Sequence, residues 1–204
     1  MSIKNKLDPR VLRTRQLLQD ALISLLAEGN FEEITVQDIS KKANVNRATF
    51  YSHYEDKYHM IRQIVGEKLI ELDQSIKDVE TTTDGTSEQL DEIAFQSYLH
   101  LFEHLEKNFH FYKVLLKKQG PNIFRRKLYS VLEKTFETGL AYIQPKQKNL
   151  LVPGDLLISY ISGATLSVIS FWLEKDMPYS PKYMAEHLLI ISRNGIISTQ
   201  MDEN

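Results

Sequence analysis

The sequence predicts an all-α protein, because apolar residues recur at three- and four-residue intervals and helix-start residues pair with helix-stop residues. No stretch alternates apolar and polar residues as a half-buried strand does, and no repeat of fixed period appears. The chain of 204 residues has room for one large domain or two small ones. With 42% hydrophobic and 25% charged residues, general disorder and a collagen-like fibre are excluded. The lack of cysteine excludes a disulfide framework, a zinc ribbon and a cysteine nucleophile. It also fits a reducing compartment, and the N-terminus lacks the apolar stretch of a secretion signal, so the expected localisation is cytoplasmic.

The first helix opens at Asp8-Pro9, where the carboxylate can accept free amides and the proline ring presets a helical φ. Val11, Leu12, Leu17, Leu18, Ala21, Leu22, Leu25 and Leu26 mark one face as far as Glu28, and Gly29 is expected to stop it in a left-handed conformation. A short second helix starts at Thr35, with Asp38 placed to close a capping box and Val36, Ile39 and Ala43 inside. Asn44 tolerates a left-handed turn, and Asn46 can cap a third helix carrying Ala48, Thr49, Phe50, Tyr51 and His53. A longer pattern over 56–79, with Tyr58, Ile61, Ile64, Val65, Leu69 and Leu72 on its apolar side, gives a fourth helix.

A polar run at 81–87 reads as a loop. Beyond it, helices are expected at Ser87–Lys107, Phe109–Lys118, Pro121–Ile143, Pro153–Lys175 and Pro181–Ile197, broken at Gly120, Pro145 and Asp176-Met177-Pro178. Leu156 to Leu173 carries no charge and reaches the lower length limit of a membrane span. Its five serine and threonine side chains and Gly163 favour instead a helix covered on nearly every side, in part by a second chain.

The net charge of −2 does not announce a nucleic-acid partner, yet residues 1–62 carry ten basic and eight acidic side chains, leaving the rest of the chain acidic. Lys4, Lys6, Arg10, Arg13 and Arg15 could form a basic arm for phosphates. Two short helices around a tight turn can brace the first on a DNA backbone and set the second in the major groove. Ile39, Ala43, Val45 and Phe50 are the natural packing set of such a unit, leaving Asn46, Arg47, Thr49, Tyr51 and His53 outward.

The stretch Thr-Val-x-x-Ile-x-x-x-Ala from Thr35, then Arg47-Ala-Thr-Phe-Tyr-Ser-His-Tyr and Lys57, resembles the tetracycline-repressor (TetR) family of bacterial regulators. Asn44 departs from the family's usual glycine. The resemblance implies a helix-turn-helix DNA-binding domain at 1–55, and an effector-binding and dimerisation bundle at 56–204 whose residues 56–79 form a connecting helix and lever. It implies that Thr35, Thr49, Tyr51 and Lys57 grip phosphates, contacts that position a protein without reading sequence. Gln37, Asn46, Arg47 and Ala48 fall where relatives approach base edges, and Arg to guanine or Asn and Gln to adenine are the favoured pairs. His53 also aligns with a DNA-facing position, whereas Tyr54 and Tyr58 return inward. The function implied is a ligand-responsive repressor that binds a palindromic double-stranded operator as a homodimer, through residues 153–175 and 181–197. A helical protein-interaction module that does not read DNA is the alternative.

In the second part, aromatic residues at helical spacing can be simple core or can line an effector cavity. Tyr98, Phe102, Phe136 and Tyr160 are the candidate lining residues for an unknown small, largely apolar effector. His100 and His104 have the spacing of a metal pair, but no third ligand is placed by sequence, so neither a metal nor another cofactor is expected. No catalytic motif is present, and an enzyme is not expected.

Overall fold

The computed structural model describes residues 8–79, 87–117, 120–143 and 152–194. Among them the order is α1 Pro9–Glu28, α2 Val36–Lys42, α3 Arg47–Tyr51, α4 Lys57–Lys77, α5 Ser87–Lys107, α6 Phe109–Leu116, α7 Asn122–Ile143, α8 Gly154–Glu174 and α9 Pro181–Asn194, with no strand. Positions 81–86 of the expected loop, the Pro145 break and the extension of the last helix to Ile197 lie outside the described residues.

The described residues within Met1–Lys68 and Val114–Phe124 form one compact unit, here called the head, and those within Leu69–Lys113 and Arg125–Asn204 form the other, the body. In the head, Asp8 accepts the amide of Arg10 at 2.8 Å to start α1. Leu18, Ala21, Leu22 and Leu26 of α1 are buried with Phe31, Ile39, Phe50, Tyr54, Met60, Ile61, Ile64 and Val65. Gly29 differs from expectation: its amide makes the last helical bond, to the carbonyl of Leu25, and its extended backbone (φ −150°) then ends α1. No left-handed residue is needed there. Asn44 does adopt the left-handed turn, at φ 54°.

Residues 114–124 complete the head with buried Val114, Leu115, Leu116 and Phe124, and Lys117 donates to the carbonyl of Ala27 at the end of α1. The turn there requires glycine. A Cβ on Gly120 would stand 2.4 Å from the carbonyl oxygen of Leu115, a backbone atom that cannot swing aside.

In the body, α5 and α9 pack most extensively. Trp172, the single tryptophan, is fully buried, lies edge-on to Phe102 at 5.1 Å between centroids, and donates its indole N–H to the carbonyl of Tyr179 at 2.8 Å. Asp176 and Met177 both have positive φ, and the amide of Met177 closes on the carbonyl of Trp172, which ends α8 before Pro178. Lys113 pairs with Asp176 across this corner. By length and composition α8 is apolar enough to cross a membrane, yet Ser162, Thr165, Leu166, Ile169, Ser170, Trp172 and Leu173 on one side of it are buried in the chain.

Because Trp172 reports on the body alone, its emission is expected to be blue-shifted and to move red on unfolding of that unit. Phe102→Ala removes its ring partner and should cost about 3–5 kcal/mol, read by tryptophan fluorescence in a urea titration. An unchanged midpoint would contradict this packing.

Candidate nucleic-acid interface

Thr35 caps α2 in a reciprocal box: its Oγ1 accepts the amide of Asp38 and donates to Asp38 Oδ2 at 2.6 Å, while its own amide bonds the same carboxylate at 2.9 Å. These bonds from the Thr35 side chain and backbone hold the Asp38 carboxyl below its ordinary range. Asn46 repeats the device on α3, its Oδ1 accepting from the amide of Thr49 at 2.7 Å and from Thr49 Oγ1 at 2.9 Å. Between the caps, the amides of Asn44 and Val45 bond the carbonyls of Lys41 and Ser40, and Ile39, Ala43 and Phe50 fill the angle from within. The result is a helix-turn-helix, and α2 contacts both α1 and α3.

Gln37, Asn46, Arg47, Ala48 and Tyr51 are exposed, whereas Thr49 and His53 are half-buried. Arg47 and Tyr51 stand one turn apart on α3, with Arg47 Nη2 donating to the Tyr51 hydroxyl at 3.3 Å and the guanidinium 5.9 Å from the ring centre. That contact presents a planar donor fork and a phenol together on the outer face of α3. Asn46 offers its Nδ2 hydrogens to that face, since Oδ1 is engaged in the cap. The hydroxyls of Thr35 and Thr49 are likewise donors within their caps.

Lys57 sits elsewhere. Its Nζ donates to the carbonyls of Phe31, Glu32 and Ile34 at 2.9, 2.8 and 2.8 Å, within the α1–α2 connection. Tyr58, expected inward, is instead 42% exposed; its hydroxyl donates to Glu32 Oε2 at 2.7 Å and its ring meets Phe31 edge-on. Tyr54 is in the core as expected.

Arg15, read from sequence as part of a basic arm, bonds Glu67 at 2.6 Å, tying α1 to α4. The adjacent Tyr54 hydroxyl and then Glu67 favour its charged form, against the cost of partial burial. Partial burial, reinforced by the charge of Arg15, in turn lowers the pKa of His53. Arg10 and Arg13 are exposed on α1, while Lys4 and Lys6 lie outside the described residues. Sequence reasoning missed Arg15–Glu67 and Tyr58–Glu32, because their partners are 52 and 26 residues apart and no local pattern links them.

The four aromatic residues expected to line an effector site in the body are not all brought together. Tyr98 and Phe136 are neighbours, with ring centres 6.1 Å apart, and the buried Tyr98 hydroxyl lies 3.2 Å from Ser192 Oγ. Phe102 is fully buried against Trp172, whereas Tyr160 is 62% exposed on the outer side of α8. His100 and His104 each have a separate engagement: His100 Nδ1 donates to the carbonyl of Ser75, and His104 Nε2 meets the Tyr112 hydroxyl at 3.0 Å. Among the described residues no group of three or more His, Cys, Asp or Glu is placed to hold a metal ion.

Two family models match the chain. One, described as bacterial regulatory proteins of the tetR family, covers residues 18–64; the other, a transcriptional regulator C-terminal region, covers 92–194, half of the chain. The chain belongs to the TetR family. It is a helix-turn-helix transcriptional regulator, and the alternative of a protein-interaction module is not favoured.

Among curated proteins, the chain is 39% identical over 70 residues to an uncharacterised HTH-type transcriptional regulator, YxbF, of Bacillus subtilis strain 168. The match takes in 34% of this chain and only 18% of that relative's length. Among solved structures, a TetR transcriptional regulator from Streptococcus agalactiae 2603V is 24% identical with a TM-score of 0.67, over 90% of this chain and 95% of that one. A putative fatty acid metabolism regulator of Clostridium perfringens is 21% identical with a TM-score of 0.71, over 89% and 99%. The regulator FadR of Bacillus subtilis, solved in complex with stearoyl-CoA, is 17% identical with a TM-score of 0.63, over 89% and 99%. These three share the TetR fold with this chain.

The environment of His53 makes one prediction for the head. Its imidazole should titrate below the ordinary histidine range by NMR, and Arg15→Gln should raise that midpoint. Since the unfolded chain then takes the proton first, His53 withdraws stability as pH falls through the imidazole range and has no such effect above it. A midpoint in wild type at or above that of an exposed histidine would contradict the placement of Arg15.

Proposed function

We propose that this TetR-family chain is a repressor acting in the cytoplasm, which binds a palindromic duplex operator as a homodimer and releases it on binding a small effector. The observation that carries the DNA-reading part is the outer face of α3, where Arg47, Ala48, Tyr51 and the free amide hydrogens of Asn46 stand exposed around a buried Phe50. Arg47 reads a guanine edge, with Asn46 and Gln37 as further base-reading residues, and Thr35, Thr49, Tyr51 and His53 lie against the backbone.

Selection from random duplexes should enrich one near-palindromic site, and binding should weaken as salt rises. Arg47→Ala should cost about 1–3 kcal/mol on the selected site and relax preference at one base pair of each half-site, read by competition binding. Folded protein that shows no preference for any duplex at low salt overturns the reading.

The dimer is supported by an exposed stripe on α8 comprising Leu156, Tyr160, Gly163, Ala164, Ser167 and Phe171, with Tyr183, Ile190 and Ile191 exposed on α9. Leu166, Ile169 and Leu188, within the two segments expected to pair, are buried in their own chain, so the pairing face is the opposite side of α8. Large apolar side chains alternate there with small ones, which lets a two-fold copy of the helix approach closely. The Tyr160→Glu, Phe171→Glu double variant should therefore sediment as a monomer at micromolar concentration while keeping its helix content. A wild-type monomer, or a dimer that survives both charges, refutes this interface.

Tyr160 accordingly belongs to the pairing face in this reading, and the effector site centres on Tyr98 and Phe136. The buried hydroxyl of Tyr98, beside Ser192, suits a largely apolar effector with a polar group, and the long acyl chain of the stearoyl-CoA bound by FadR supports an effector with a large apolar part.

A further inference from the structure

Lys57 carries a feature that a phosphate-gripping residue does not need. An ammonium has three hydrogens and no acceptor, and here three main-chain carbonyls, those of Phe31, Glu32 and Ile34, lie 2.8–2.9 Å from Nζ. The valence of the group is filled by the protein itself. The ammonium also lies 5.0 Å from the ring centre of Phe31 and 5.2 Å from that of Tyr58, two faces that favour a cation. Tyr58 closes the arrangement from outside by donating to Glu32. A contact from Nζ to a DNA phosphate therefore requires breaking three charge-assisted bonds, leaving the part-buried carbonyl of Ile34 without that donor and the carbonyl of Phe31 with only the amide of Ile34 at 3.3 Å.

The three carbonyls belong to the residues immediately before Thr35, the cap of α2, while Lys57 is the first residue of α4. The staple thus fixes where α2 begins relative to the start of α4. Ile39, Ala43 and Phe50, all buried, carry that placement through the turn to α3. We propose that Lys57 is a positioning residue for the recognition helix, which sets the angle of α2 and α3 through three carbonyls and does not hold DNA phosphate. This rests on the operator-binding function above, which it deepens.

The test uses full-length protein and two duplexes of equal length, the selected operator and a scrambled one. Wild type must distinguish them; if it does not, the operator function itself fails. With that established, Lys57→Met keeps the aliphatic stem and removes the ammonium. Positioning predicts that the operator-to-scrambled affinity ratio falls roughly tenfold, within the range set by loss of one bidentate base contact. It also predicts an unchanged slope of log affinity against log salt. A phosphate grip predicts the reverse, equal loss on both duplexes and a slope smaller by about 0.9. A folded variant with unaltered ratio and slope shows packing alone, and either of these results overturns the proposal.

If Lys57→Met does not fold, Lys57→Arg and Tyr58→Phe decide. A guanidinium keeps the charge and suits phosphate, but its planar fork cannot serve three converging carbonyls, so positioning predicts a lowered ratio and full retention overturns it. Tyr58→Phe loosens Glu32 and should lower the ratio in the same direction. In the free protein, the ζ-ammonium signal of Lys57 should be visible by 15N NMR at neutral pH with slow hydrogen exchange, and should persist unshifted on operator binding. Its absence, or a shift on binding, counts against the staple.

Discussion

The start of α2 is tied to the start of α4 by one cation, the Lys57 ammonium, on which three main-chain carbonyls ahead of Thr35 converge. A short helix such as α3, five residues long, has almost no stability of its own. It is held by Phe50 from below, by the Asn46 cap in front, and by whatever fixes α2. In the α1–α2 connection the Lys57 ammonium bonds three carbonyls at once, of which that of Phe31 also accepts the amide of Ile34. Arg15 performs the related task on the other side, joining α1 to α4 through Glu67. Lys42 bonds Glu28 and Lys117 bonds the carbonyl of Ala27, so these four basic residues of the head act within it, while Arg10, Arg13, Lys41, Arg47 and Arg62 are exposed.

The body follows another logic. Its interior contains hydroxyls that a purely apolar core would not need: Tyr98 beside Ser192, Tyr112 beside His104, and the buried Ser162 and Thr165 of α8. Burial raises the pKa of both tyrosines, so they stay neutral and act as hydrogen-bonding groups only. Such groups fix side-chain geometry where apolar contacts alone leave freedom. The outside of α8 is plainer, with large Leu156, Tyr160 and Phe171 exposed among small Gly163, Ala164 and Ser167.

Local chemistry was the legible part of the sequence. Asp8-Pro9, the Thr35–Asp38 box, the left-handed Asn44 and the Asn46 cap involve residues within four positions of one another, and each takes the form its neighbours dictate. Of the outward set expected around α3, Asn46, Arg47 and Tyr51 are exposed as the periodicity dictates, whereas Thr49 and His53 are half-buried. Lys57 and Tyr58 were not legible in this way, since whether a side chain on the first turn of a helix faces DNA or an earlier loop depends on a partner some 25 residues away. Tyr160 shows a different limit. On a helix apolar all round, period alone cannot tell the side facing its own chain from the side facing outward. Gly29 shows that a glycine after a helix need not use its left-handed freedom.

The path of the chain has a consequence for how such regulators can be recombined. The head takes in residues 114–124 as well as the N-terminal segment, and Gly120 lets the backbone pass there where a side chain would collide with the Leu115 carbonyl. Reading head and body as beads joined at one link therefore misdescribes the inheritance unit. A chimera spliced at a single point after α3 or α4 would set a foreign 114–124 segment against the end of α1, where Lys117 meets the carbonyl of Ala27. Exchange of the exposed residues of α2 and α3 between relatives thus leaves these contacts intact, whereas a swap of the whole module does not.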